Sequence, residues 1–183
     1  PFTDPKRLNS ECNIDYSGTL THEPSSDFVY EVIKQFGGSS DFYSKFYINS
    51  VCPLGFTSIA GSGKETNYNY YDHKDLEAVV YNFIIESIEK QIRFGLSPDI
   101  CFCLGSGINA KFLRKLNNEK KYFGKICALE HPRYVMQYKA TSKQSYIEKY
   151  ISAFKEAIQP ITSPPQSYPK FEKLANLAIP RYT

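Results

Sequence analysis

Apolar residues recur at helical spacing in three long stretches of the chain and gather into two short unbroken runs between them. Phe28, Val29, Val32, Ile33 and Phe36 lie three and four apart, predicting a helix that Ser26 can N-cap and Gly37-Gly38 closes. Leu76, Val79, Val80, Phe83, Ile84, Ile88 and Ile92 mark the buried stripe of a longer helix, His73 to Phe94, capped by Asp72 and ended by Gly95. Tyr146, Ile147, Tyr150, Ile151, Phe154 and Ile158 define a third, opened by the capping-box shape of Thr141-Ser142-Lys143-Gln144 and ended by Pro160. The two runs, Ile100-Cys101-Phe102-Cys103-Leu104 and Ile126-Cys127-Ala128-Leu129, read as buried strands, with a helix from Ile108 to Leu116 between them.

The other segments are less regular. Residues 1–25 are polar and turn-rich, and residues 57–71 form a polar loop containing Gly61 and Gly63. Residues 42–51 are rich in β formers and end as a strand stopped at Cys52-Pro53. Pro160, Pro164, Pro165 and Pro169 make 160–183 a packed, Pro-rich tail with a short last helix. Alternating strands and helices predict an α/β fold with a parallel sheet covered on both faces.

With 183 residues the chain fits one domain with a full hydrophobic core. Its 42% hydrophobic and 22% charged residues suit an ordinary soluble protein, and the net charge of +3 permits an anionic partner without demanding one. No apolar run approaches the ~20 residues of a membrane span. Five cysteines, odd in number and without a CxxC pair, point to reduced thiols in the cytoplasm, and the three histidines lack metal-ligand spacing. The opening Pro1-Phe2-Thr3-Asp4-Pro5 has no initiator methionine and reads as the middle of a structured loop, so an upstream segment is expected.

Chemistry concentrates in Glu130-His131-Pro132-Arg133-Tyr134-Val135-Met136-Gln137-Tyr138-Lys139. Ligands of α/β sheets bind beyond the carboxyl ends of strands, and the run 126–129 places His131 there on a turn stiffened by Pro132. Arg133, Lys139 and Lys143 interleave with Tyr134 and Tyr138, cations among aromatic faces that suit a nucleic-acid surface. The bland reading is a surface histidine before a solvated, basic helix start. Asn49 ends a strand with an amide able to read a donor and an acceptor on a base edge, or serves a turn. Phe2 can stack on a base or join the core. Gly105-Ser106-Gly107-Ile108-Asn109-Ala110 fits G-x-G-x-x-A, with Glu130 about twenty residues on. That is a dinucleotide fingerprint in the wrong place, since it is not the first βαβ unit; small residues also serve close strand–helix packing.

Together these strings resemble a family. Asn49-Ser50-Val51-Cys52-Pro53-Leu54 is similar to the base-recognition string N-x-C-P-L of single-strand-selective monofunctional uracil-DNA glycosylases. His131-Pro132 with its basic continuation resembles the second motif of uracil-DNA glycosylases, and Leu104-Gly105-Ser106 before Ala110 the strand-turn-helix between motifs. Pro1-Phe2 resembles the end of the first motif. The order is similar to a bacterial branch of this family over residues 1–155. Two departures stand out. The water-positioning G-x-N-P-G string does not occur in the sequence, and H-P-S is replaced by His131-Pro132-Arg133.

The resemblance implies a three-layer α/β/α sandwich around a central, mainly parallel sheet of four strands. It implies hydrolysis of the N-glycosidic bond of uracil, or a related modified pyrimidine, in DNA during base-excision repair. Phe2 would stack on the extruded base, Asn49 would pair with N3–H and O4, and His131 would donate to O2. Arg133, Tyr134, Tyr138, Lys139 and Lys143 would meet the DNA, single-stranded or mismatched. No metal or organic cofactor is implied. The alternatives are a catalytically incomplete DNA- or nucleotide-binding module of the same fold, and a nucleotide-cofactor enzyme using Gly105–Ala110.

Overall fold

The computed structural model describes residues 2–19, 21–59 and 61–159, so the expectations for the Pro-rich tail lie outside the described residues. Strands β3 (Ile100–Leu104) and β4 (Lys125–Leu129) pair in parallel, Ile100 opposite Lys125 and Leu104 opposite Leu129. Side chains alternate across a strand, and the two faces here meet different helices. Phe102, Leu104 and Leu129 pack with α2 (Pro24–Phe36), α6 (Pro132–Tyr138) and α7 (Lys143–Ala157). Cys101, Cys103, Ile126 and Ala128 pack with α4 (Lys74–Arg93) and α5 (Ile108–Lys120). Helices therefore cover both faces of this α/β layer, as predicted.

The four-stranded sheet does not emerge among the described residues. They hold two sheets of two strands: β3 with β4, and an antiparallel hairpin of β1 (Thr57–Ile59) and β2 (Glu65–Asn67). That hairpin falls in the segment expected to be loop; Gly63 turns it at a φ of 78°. The β formers of 42–51 do not make the expected strand either. Residues 39–43 form a short helix, α3 (Ser39–Tyr43), and the chain then leaves it through a turn and joins no ladder. Aromatic packing overrides propensity here. Phe42 and Phe46, one helical turn apart, meet Phe36 and Phe154 with ring centroids 5.0–5.7 Å apart, mostly edge to face.

Several helix ends differ from expectation. Residues 1–25 contain a helix, α1 (Pro5–Cys12), N-capped by Asp4, whose carboxylate accepts from the Arg7 N–H at 2.9 Å. The same carboxylate accepts from the Glu23 N–H at 2.9 Å and so ties α1 to the start of α2. Ser26 lies inside α2, fully buried, because Pro24 already starts that helix. Asp72 belongs to a 3₁₀ turn, and α4 begins after His73, whose ring stacks on Tyr68 at 3.7 Å. Val79 and Phe83 are exposed; the buried stripe of α4 is the narrower Val80, Ile84 and Ile88. The capping box does not form, since Ala140–Ser142 winds as a 3₁₀ turn and α7 starts at Lys143. No helix of the described residues is long and apolar enough to cross a membrane.

Candidate active site

A cavity of about 520 Å³ runs along the whole of β3 and reaches His131, just beyond the carboxyl end of β4. That volume suits one small organic ligand. Phe2, Asn49 and His131, from three separate parts of the chain, all line it. The apolar remainder comes from both core clusters, with Phe102, Leu104 and Phe154 among the lining side chains.

His131 follows β4 and precedes α6, which Pro132 opens with its fixed φ. The residue before a proline is pushed to extended dihedrals, and His131 stands at φ −64°, ψ 135°. Nδ1 accepts the Arg133 N–H at 3.1 Å, so the imidazole caps α6. An accepting Nδ1 places the ring proton on Nε2. Burial lowers the His131 pKa from its ordinary value; the nearby Arg133 charge lowers it further, and Glu23 opposes both. The ring is thus a neutral donor. Phe2 stands beside it, centroids 5.8 Å apart and planes inclined at 58°, on a backbone with φ 60° that side-chain-bearing residues seldom adopt.

Asn49 lies on the irregular segment after α3, exposed at the cavity, and its amide has no hydrogen-bond partner among the described residues. Ser50 beside it is half-buried and also lines the cavity. The family string leaves one residue between asparagine and cysteine, whereas two separate Asn49 from Cys52. Counted back from Cys52, the string's asparagine position falls on Ser50.

Most of the stretch expected to meet DNA is a helix. Pro132–Tyr138 is α6, with Val135 fully buried and Tyr134 and Tyr138 exposed, their rings 5.6 Å apart. Arg133 is exposed in its first turn and Lys139 ends it. Lys143 is engaged elsewhere, pairing with Glu31 of α2 at 2.5 Å.

Two features escaped the sequence reading. Tyr150 was legible only as core, yet its buried hydroxyl donates to the Glu130 carbonyl, one residue before His131. Asn109 read only as a variable position of the G-x-G-x-x-A string, yet it lines the same cavity. Glu130, the acid of the dinucleotide reading, pairs with Lys149 at 2.7 Å. Burial tends to raise its pKa, but the Lys149 hydrogen bond, a hydrogen bond from its own backbone and the Lys149 charge together outweigh burial and hold it below the usual value. Among the described residues no group of three His, Cys, Asp or Glu could hold a metal. All five cysteines are free thiols, and burial pushes Cys103 up to about 11, leaving it unreactive.

Residues 1–155 match the uracil DNA glycosylase superfamily. The structure is similar to the crystal structure of wild-type SMUG2 from Pedobacter heparinus, with a TM-score of 0.82 and 66% sequence identity. That similarity covers 86% of this chain and 67% of the Pedobacter chain. No curated protein matches the chain. With the match spanning nearly all of the described residues, the chain belongs to the uracil DNA glycosylase superfamily.

Proposed function

We propose that this protein is a monofunctional uracil-DNA glycosylase of base-excision repair and that the cavity receives the flipped base. The observation carrying this reading is the meeting of Phe2, Asn49 and His131 at one cavity, with His131 held as a neutral Nε2–H donor. Extruding a nucleotide costs a few kcal/mol, least where the base is unpaired, which favours single-stranded or mismatched DNA as substrate. Phe2 offers its ring to the extruded pyrimidine. The Asn49 amide can donate to O4 and accept from N3–H of uracil, while cytosine's amino group would face a donor. As the C1′–N1 bond breaks, its electron pair passes to the base and the sugar becomes oxocarbenium-like. Donation from His131 Nε2–H to O2 then contributes about 2.7–4 kcal/mol, as oxyanion-hole donors do.

Arg133, Tyr134, Tyr138, Lys139 and Lys143 form the proposed DNA-facing group, with α6 as its centre and a tyrosine of α6 filling the gap left by the flipped base. The fold reading goes with it. β3 and β4 are taken as the centre of a four-stranded sheet, supported by the packing of the segment after α3 on β3, where Phe46 meets Phe102 at 6.1 Å. Five free thiols suit a reducing cytoplasm.

The test is incubation of the protein with uracil-containing oligonucleotides, single-stranded and duplex, followed by alkaline cleavage at abasic sites. Strand scission dependent on uracil is expected. Tight binding without scission would support an inactive binding module instead.

A further inference from the structure

Gly105, between the end of β3 and the start of α5, separates two side chains of the cavity wall. A Cβ built on it would stand 3.6 Å from Asn109 Nδ2 and 3.7 Å from His131 Cδ2. Cδ2 adjoins Nε2 in the imidazole ring. The ring atom of His131 nearest Gly105 is therefore Cδ2, the neighbour of the proton-bearing Nε2, while Nδ1 is occupied by the Arg133 N–H.

Asn109 sits in the first turn of α5, a thirteen-residue helix whose cap, Gly107, brings no side-chain hydrogen bond. The positive end of the helix dipole favours negative charge there. The Asn109 amide has no hydrogen-bond partner among the described residues, although it is half-buried and lines the cavity. A half-buried amide left free beside a fixed N–H donor is placed to act with it. Without a side chain at Gly105, the space between the two stays open for an oxygen atom.

We propose that Asn109 Nδ2–H is a second donor to the departing pyrimidine, sharing with His131 Nε2–H the oxygen on which negative charge collects. This rests on the glycosylase reading and names a catalytic residue within it. The C1′–N1 bond breaks with both electrons going to the base; water bonds to C1′ and gives up a proton, and the base anion is neutralised by proton uptake. Asn109 takes part in no bond change and acts only on the charge of the leaving group.

The experiment measures single-turnover release of uracil and of 5-fluorouracil from the same oligonucleotide by wild-type protein, Asn109→Ala and Asn109→Asp. Fluorine already stabilises the anion, so a lost donor matters less for that base. Asn109→Ala should slow uracil release about a hundredfold, with substrate affinity and melting temperature unchanged and a clearly smaller loss for 5-fluorouracil. Asn109→Asp, which keeps the volume and puts negative charge beside the anion, should be slower still on uracil. Equal losses on both bases, or wild-type rates in the Asp variant, would overturn the assignment of Asn109. Should Asn109→Ala fold poorly, the nearly isosteric Asp variant decides alone. Wild-type protein that releases neither base sinks the glycosylase reading itself, a result distinct from either.

Discussion

The Arg133 N–H donates to His131 Nδ1 at 3.1 Å across a single intervening residue, Pro132. The first turn of any helix has N–H groups without intrahelical acceptors, and the imidazole takes one of them in α6. One contact thereby caps α6 and sets the tautomer. The position of the ring proton is thus built into the local sequence His131-Pro132-Arg133 rather than into a distant partner.

That contact sets a pH dependence. Protonating His131 would put a second N–H at Nδ1, facing the Arg133 N–H, and would abolish the cap. Burial, reinforced by the Arg133 charge, already holds the His131 pKa below 6.5. Single-turnover excision should stay level as pH falls through 6.5 and decline only below it. Stability follows the same sign. The unfolded histidine binds a proton more readily than the folded one, so the contribution is complete above 6.5 and is lost as pH falls through the folded value. An acid limb centred above 6.5 would remove His131 from the role of neutral donor.

Reading the base separates Asn49 from Ser50. Asn49 carries the free amide but is exposed, while Ser50 is better buried and stands where the family string counts its asparagine. If the amide reads N3–H and O4, Asn49→Ala should lower uracil excision by at least a hundredfold, as for an oxyanion-hole donor, and Ser50→Ala by far less. The reverse order in parallel rate measurements would move base reading to Ser50.

Much of this site was legible before the fold. β3 and β4 are continuous apolar runs between turn residues, the signature of strands covered on both faces, and they place His131 at a carboxyl end. What sequence could not supply was long-range. Residues 42–51 look β-forming until Phe36 and Phe154 are seen to hold Phe42 and Phe46. The Asp4 carboxylate caps its own helix, as a sequence can suggest, but its bond to the Glu23 N–H spans nineteen residues of chain. Asn109 reads only as a variable string position because periodicity says nothing about which cavity a first turn borders.

The basic residues should not contribute equally to DNA binding. Lys139 ends α6 with no ion-pair partner among the described residues, whereas Lys143 is held by Glu31. A lysine on a phosphate adds about 0.7–0.9 to the slope of log affinity against log salt. Lys139→Ala should flatten that slope by nearly this amount. Lys143→Ala should change it less, because breaking the Glu31 pair offsets what the phosphate returns. Equal slopes for the two variants would mean that Lys143 leaves Glu31 on binding.

Tyr150 tests whether the His131 turn is held from behind. Its hydroxyl donates to the Glu130 carbonyl, and burial, with the Glu130 charge adding to it, pushes its pKa up, so the phenol remains protonated. The ring stands edge-on to Phe28 at 5.1 Å, a contact that Tyr150→Phe preserves. The substitution removes the donor and leaves a carbonyl short of a partner beside the turn, costing about 1–3 kcal/mol. In a chain of this size each kcal/mol lowers the melting temperature by about 2–4 °C. The same change should lower the excision rate while leaving the apparent affinity for DNA unaltered, because α6 and its tyrosines still pack through Val135. A variant that melts earlier yet excises at the wild-type rate would show Tyr150 to be core alone, with the His131 turn held by Pro132 and the Arg133 N–H.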